Sequence, residues 1–378
     1  MTTSHTDVSK TEPLVSVVIP FFNAGDFIEQ ALGSIIRQTY HNLEILLIDD
    51  GSTDNSAEIV RSFQDPRVKL LGDRYRRGIT YRLNEGIDAA LGDYVARMDA
   101  DDVSSPARIE CQVSKMKEDR DLVVLGTAAA YFDATGKITG APRESPTGDT
   151  EIKWRLLTHN CILHPSVMLR SDVVKSERYS SDFPLAQDFE LWLRLAARGY
   201  KFANLPQTLV LIRRHDATAT STRRREQLNL AAAALKSYVR SELGIDVSRE
   251  LAEALIEPPL LKNSGVADKS CPISIARMAA IKFHHAGAGG SLKVRSSRQM
   301  FDDLTFFAMR YMYRGLFRRV GGIRVQDVAG LRAALGEIFQ RFPVIPSLVY
   351  RDFLSRRRRI TEASVILRAQ SGPHSQFS

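Results

Sequence analysis

YVARMDADD, Tyr94 to Asp102, joins a short apolar run to a cluster of acids. Tyr94, Val95, Ala96 and Met98 predict a buried strand, and Asp99, Asp101 and Asp102 follow at its end. Carboxylates this close repel one another and raise each other's pKa unless a cation sits among them. Oxygen ligands suit a hard divalent ion, Mn2+ or Mg2+, with coordination positions left open for a diphosphate. A solvated acidic turn would carry the same letters, so the surrounding sequence has to decide.

Upstream, Leu14 to Pro20 (LVSVVIP) is a β-branched apolar run of the kind that forms a central parallel strand. A turn at Phe21 to Gly25 leads into Phe27, Ile28, Ala31, Leu32, Ile35 and Ile36, which recur at helical spacing. Leu43 to Ile48 predicts a second strand, running into Asp49-Asp50-Gly51-Ser52-Thr53-Asp54, a set of residues that cap helices. Val68 to Leu71 is a third strand candidate, and Ile79 to Leu91 a helix burying Ile79, Leu83, Ile87 and Leu91. Polar residues thus collect where strands end, at Asn23, Asp49, Asp50, Asp99 and Asp101. Open α/β sheets bind ligands at those ends, so these groups are expected to converge on one crevice.

Downstream, a helix after Pro106 (Ile109, Val113, Met116) leads to a strand at Leu122 to Leu125 and then to a Gly- and Pro-containing region, Gly126 to Pro146. Asp149 to Leu157 reads as helical, and His164-Pro165 as a turn before a strand at Ser166 to Leu169. His164 either lines a site or is a half-buried turn histidine. The helix AQDFELWLRL, Ala186 to Leu195, carries Asp188 near its start, where a plain capping role competes with chemistry. Leu209 to Ile212 is a strand ended by Arg213, Arg214 and His215, a cationic cluster suited to phosphate.

With 378 residues, 44% of them hydrophobic, the chain has material for two domains. Three scattered cysteines argue against a disulfide framework and for a reducing compartment. The first dozen residues lack an apolar core, so no signal peptide is expected, and no run is long and apolar enough to span a membrane. Net charge is +8, but residues 1–216 carry 26 Lys+Arg against 31 Asp+Glu and residues 217–378 carry 26 against 13. The basic part lacks strand patterns and reads as helical. Arg310, Arg314 and Arg318 form a slanting stripe beside Phe301, Phe307 and Tyr311, and Arg356 to Arg359 follow. Such helices meet an anionic membrane surface or stand as a solvated bundle face. The expected division is a disordered tail at 1–13, an α/β domain at 14–221, a helical basic region at 222–370 and a second disordered tail at 371–378.

Taken together, VSVVIPFFN (15–23), LLIDDGSTDNS (46–56), LNEGIDAALGDYVARMDADD (83–102), HPSVML (164–169), AQDFELWLRL (186–195) and RRH (213–215) resemble glycosyltransferase family 2, the inverting transferases of the GT-A fold. The resemblance covers roughly Val15 to Ser221. It implies a Rossmann-like nucleotide-binding sheet with helices on both faces, a nucleotide-sugar donor such as a UDP-sugar, and a glycan or lipid-linked acceptor. It implies that Asp50 hydrogen-bonds the base and that Pro20, Phe22 and Asn23 shape the nucleoside pocket. Asp99 and Asp101 match the family's DxD, with Asp101 as the direct Mn2+ or Mg2+ ligand and His215 beside the metal or diphosphate. Asp188 stands where the family keeps its catalytic base. Arg213 and Arg214 would help hold the diphosphate, and His164, Gln187 and Trp192 are acceptor-side candidates. Gln187 departs from the Glu common before that Asp, which bears on acceptor recognition. The resemblance further implies work at the cytoplasmic face of a membrane in bacterial surface-polysaccharide assembly, with no nucleic-acid partner. Two rivals are a sugar-nucleotide pyrophosphorylase, whose Gly-rich basic loop IPFFNAGDF lacks, and an inactive transferase fold that presents its basic helices to membrane or nucleic acid.

Overall fold

In a computed structural model, residues 12–143, 145–157, 159–214, 221–243 and 246–256 are described. The expectations for His215, for residues 1–11 and for everything beyond Ile256, the arginine stripe included, lie outside them.

The strands are β1 (Val15–Phe21), β2 (Leu43–Asp50), β3 (Val68–Asp73), β4 (Tyr94–Arg97), β5 (Val103–Ser104), β6 (Leu122–Phe132), β7 (Ile138–Arg143), β8 (Met168–Arg170) and β9 (Lys201–Arg213). They form one sheet in the order β3-β2-β1-β4-β8-β6-β9-β5, with β7 paired to β6. Strands β1 to β4 are mutually parallel, whereas β8 runs antiparallel between β4 and β6. The helices are α1 (Ile28–Ile36), α2 (Ser56–Ser62), α3 (Ile79–Ala89), α4 (Arg108–Glu118), α5 (Asp149–Leu156), α6 (Ser171–Glu177), α7 (Gln187–Ala197), α8 (Ser221–Leu243) and α9 (Arg249–Ile256).

Side-chain alternation along β1 and β2 explains why helices cover both faces. Val15, Val17, Ile19, Ile45 and Leu47 face one way, into a core shared with Ile28, Leu32 and Ile35 of α1 and Ile109, Val113 and Met116 of α4. Val18, Leu46 and Ile48 face the other way, toward Leu83 and Ile87 of α3 and a core that includes Trp192 and Leu195 of α7. Each fully buried Leu, Ile or Val contributes about 1.5–3 kcal/mol, so both layers are strongly held.

Four departures from the sequence reading have physical causes. Ile79 and Leu91 are exposed, because α3 ends at Ala89 and Leu91 lies beyond its extended cap. The region from Gly126 to Pro146 holds most of β6 and all of β7. Gly126 and the Ala128 to Ala130 run have low strand propensity, and burial against β9 overrides it. Strand β9 begins at Lys201, eight residues before the expected start. Pro206 and Gln207 interrupt the pattern, and the ladder absorbs them as a bulge in which the partners of Thr127 and Ala128 jump from Leu205 to Thr208. Finally, Leu228, Ala231, Leu235, Tyr238 and Val239 bring α8 onto α7, and Leu235 and Val239 share the core of Trp192. Packing therefore runs past the boundary expected at Ser221 as far as α9. Among the described residues, no helix is long and apolar enough to cross a membrane.

Candidate active site

The chain order places the crevice. From β1 the sheet grows outward through β2 and β3, then returns to put β4 on the opposite side of β1. Chain connections diverge at this point, leaving a gap at the carboxyl ends of β1 and β4. A pocket of about 320 Å³ lies there, lined by Pro20 to Ala24 and Phe27 on one side and by Asp99, Ala100 and Asp101 on the other. Asn23 adopts φ 48° to turn the loop, and its Oδ1 accepts from Thr53 N–H at 2.8 Å, so the β1 and β2 loops brace each other. The guanidinium of Arg76 stands 4.0 Å from the centre of the Phe22 ring.

Asp99, Asp101 and Asp102 each offer an oxygen within 4.8 Å of the others. Arg97, buried in β4, grips Asp99 with two nitrogens, Nη1 to Oδ2 at 2.8 Å. Asp102 is 1% exposed, and its Oδ1 accepts from Arg213 N–H at 2.9 Å while its Oδ2 has no hydrogen-bond partner. Burial, followed by the charges of Asp99 and Asp101, pushes the Asp102 carboxyl well above the usual range. A buried carboxylate oxygen without a partner, on a residue of a three-carboxylate cluster, fits a divalent cation, which would satisfy it. Asp102, absent from the expected ligands, joins them on this ground.

Asp50 lies outside the pocket walls. Its Oδ1 accepts from Arg77 N–H at 2.7 Å, Gly78 N–H at 3.0 Å and Arg82 Nε at 3.0 Å, and its Oδ2 takes Gly78 N–H at 3.1 Å. Gly78, at φ 88°, makes that backbone approach possible. Arg82 is wholly buried and also binds Asp73 at 2.6 Å and Glu85 at 2.8 Å. Replacing Arg82 by Leu is expected to destabilise the protein by about 3–5 kcal/mol, because Asp50 keeps its charge and loses its counterion. The urea midpoint measures this, and an unchanged midpoint would mean that Asp50 needs no cation.

Asp188 sits in the first turn of α7, where a carboxylate also meets the positive end of the helix. Its Oδ2 accepts from Asn160 Nδ2 at 2.7 Å. The residue is half-buried, with its carboxyl at the inner side. Burial raises that carboxyl above the ordinary range, against the opposing pull of the Phe189 N–H, the Arg97 charge and Asn160. Arg97 therefore stands within electrostatic reach of both Asp99 and Asp188.

His164 is buried in the 3-10 turn His164–Ser166, with Nε2 2.8 Å from the Tyr179 hydroxyl. Burial and then Arg97 hold its pKa well below normal, so it is a neutral imidazole. Trp192 is 0% exposed and meets His164 edge to face at 6.1 Å, so contact with an acceptor would require this core to open. Gln187 is buried, and its Oε1 lacks a hydrogen-bond partner. Arg213 donates Nε–H to Asp101 O at 3.0 Å and packs on Phe27 and Phe132, while Arg214 lies on Tyr131 at 4.7 Å.

Five of the expected residues, Pro20, Phe22, Asn23, Asp99 and Asp101, line one pocket, and Arg213 reaches it through the backbone of Asp101. Arg82, Arg97 and Asn160 were not anticipated, and Asp102 was expected in the carboxylate cluster without being assigned as a ligand. A charged residue inside the apolar run YVARM was a usable signal for Arg97. Nothing local distinguishes Asn160, whose partner is 28 positions away.

Comparison with known proteins agrees with this architecture. Residues 16–176 match the profile of glycosyl transferase family 2. An uncharacterized glycosyltransferase of Haemophilus influenzae is 32% identical over 260 residues, 65% of this chain and 80% of that protein. WfaP of Escherichia coli, named a UDP-Glc:alpha-D-GlcNAc-diphosphoundecaprenol beta-1,3-glucosyltransferase, is 28% identical over 61% of this chain and 87% of its own. The crystal structure of S. aureus TarS 1-349 in complex with UDP-GlcNAc superposes with a TM-score of 0.51 at 14% identity, covering 97% of this chain and 94% of that one, a likeness of fold. A crevice at the β1/β4 switch point, a carboxylate cluster on its wall and a relative matched over four-fifths of its length lead to one assignment: the chain belongs to glycosyltransferase family 2, on a GT-A fold, and is a transferase.

Proposed function

We propose that this transferase moves a sugar, with inversion, from a UDP-sugar to a hydroxyl of a glycan or lipid-linked acceptor in the assembly of a bacterial surface polysaccharide. The observation that carries the reading is the carboxylate cluster on the wall of the aromatic-lined pocket, one of whose members, Asp102, has a buried oxygen without a partner. The name of WfaP, a relative matched over most of its length, supports the UDP-sugar donor and the lipid-diphosphate acceptor.

In this reading Phe22 and Asn23 wall the nucleoside, and Asp50 meets the base through Oδ2, the oxygen with spare acceptor capacity. Asp99, Asp101 and Asp102, with His215, would hold Mn2+ or Mg2+, which when bound neutralises the charge gathering on the departing diphosphate. Arg213 anchors the carboxylate loop by its bonds to Asp101 and Asp102. Asp188 takes the proton of the acceptor hydroxyl as that oxygen bonds to the anomeric carbon; the sugar–phosphate bond breaks on the opposite face, and its electron pair leaves with UDP. A single displacement inverts the centre. Arg97 is bound to Asp99 and brings its positive charge within reach of Asp188.

The testing experiment follows UDP release from UDP-glucose and UDP-GlcNAc with lipid-linked acceptor from bacterial membranes. Release is expected to require Mn2+ or Mg2+ and to stop with EDTA. Equal release in EDTA would remove the metal from the reading, and failure of every UDP-sugar would remove the donor class.

A further inference from the structure

The base position depends on a contact from outside α7. Asn160 lies in the loop after α5, and its amide Nδ2 donates to Asp188 Oδ2 at 2.7 Å. The amide is itself braced, since Oδ1 accepts from Ile162 N–H at 3.2 Å. That bond settles which end of the amide faces Asp188: the NH2 end, which can donate and cannot accept. We propose that Asn160 is a positioning residue for the base, holding one carboxylate oxygen of Asp188 so that the other is presented to the acceptor hydroxyl.

The inference rests on the proposed role of Asp188 and adds what orients it. Backbone N–H groups of Phe189 and Asp188 also bond this carboxyl, but they travel with α7 itself, whereas Asn160 ties it to a separate loop. The 2.7 Å contact fixes one oxygen and, being charge-assisted, is among the stronger hydrogen bonds. The other groups facing Asp188 play different parts. Burial works against its charge, the Phe189 N–H and Arg97 support it, and Tyr179 feels the carboxylate across the same chamber while bonded to His164. Of these, Asn160 is the group with a rotatable side-chain donor placed on a carboxylate oxygen. Removing its hydrogen bond leaves burial less opposed, so Asp188 should hold its proton to higher pH.

The test uses the full chain with Mn2+, UDP-glucose as donor and water as acceptor, and follows UDP release from pH 4 to 8 in Asn160→Ala, Asn160→Asp and Asp188→Asn. Turnover in Asn160→Ala is expected to fall about 10-fold with the donor KM unchanged, and the acid limb to move up by about one pH unit. Asn160→Asp keeps the shape and places a second carboxyl against the first, so its limb should move further. A second readout needs no substrate. A carboxyl whose folded pKa is raised loses stability as pH rises from its unfolded toward its folded pKa, so the deficit of Asn160→Ala should widen as pH rises above the ordinary carboxyl range and stay constant in the Asp188→Asn background. A purely structural asparagine would lower stability equally at every pH and leave the limb in place, which would overturn the proposal while Asp188 stays the base. An Asp188→Asn variant with parental turnover would overturn both.

Discussion

Replacing Asp188 by Asn is expected to lower turnover by about 10²–10⁴-fold while leaving donor binding within about twofold of the parent. The substitution keeps the volume and the place at the start of α7. An amide can still turn its oxygen toward Asn160 Nδ2, so the local fold persists. What disappears is the basic oxygen. Hydroxyl attack then proceeds without a proton acceptor, and the loss falls on kcat. UDP release under saturating donor measures turnover, and the UDP-induced rise in melting temperature measures binding. Near-parental turnover would move the base role away from α7.

Replacing Asp101 by Ala is expected to abolish the Mn2+-dependent stabilisation of the protein by UDP and turnover with it. A ligand at about 100 times its Kd stabilises the native state by about 2.7 kcal/mol, a shift of about 5–10 °C for a domain of this size. The pocket wall carries Asp101 as one of the three clustered carboxylates, so its loss should remove the bridge between diphosphate and protein. Without metal or UDP the variant should melt no lower than the parent, because one of three mutually repelling carboxylates is gone. Equal UDP-induced shifts in variant and parent would place the metal elsewhere.

The sequence was most readable where one short segment does one job. The apolar run of Tyr94 to Met98 is buried, it ends in the carboxylates, and the pocket sits at that end. Strands β1 and β2 and helices α1, α4 and α7 were legible for the same reason: their periodicity reflects a single partner face. Reading failed where partners are far apart in the chain. Buried Arg82 draws its meaning from Asp50, 32 positions earlier, and β6 extends through an alanine run because β9 pairs along it. Trp192, an acceptor-side candidate by resemblance, lies wholly in the core that α7 shares with α8. Asp50 is in addition held by the loop that begins α3, a contact its own segment did not announce.

The closure of α8 over α7 also sets where the enzyme can be recombined. A transferase whose tail is exchanged at Ser221 would lose the lid of alanine, leucine and tyrosine that keeps Trp192 dry, and the helix bearing Asp188 would loosen with it. A splice made after Ile256 carries that lid along. An exchange between such enzymes that keeps this core intact therefore joins after α9, with α8 and α9 inherited as part of the folded domain.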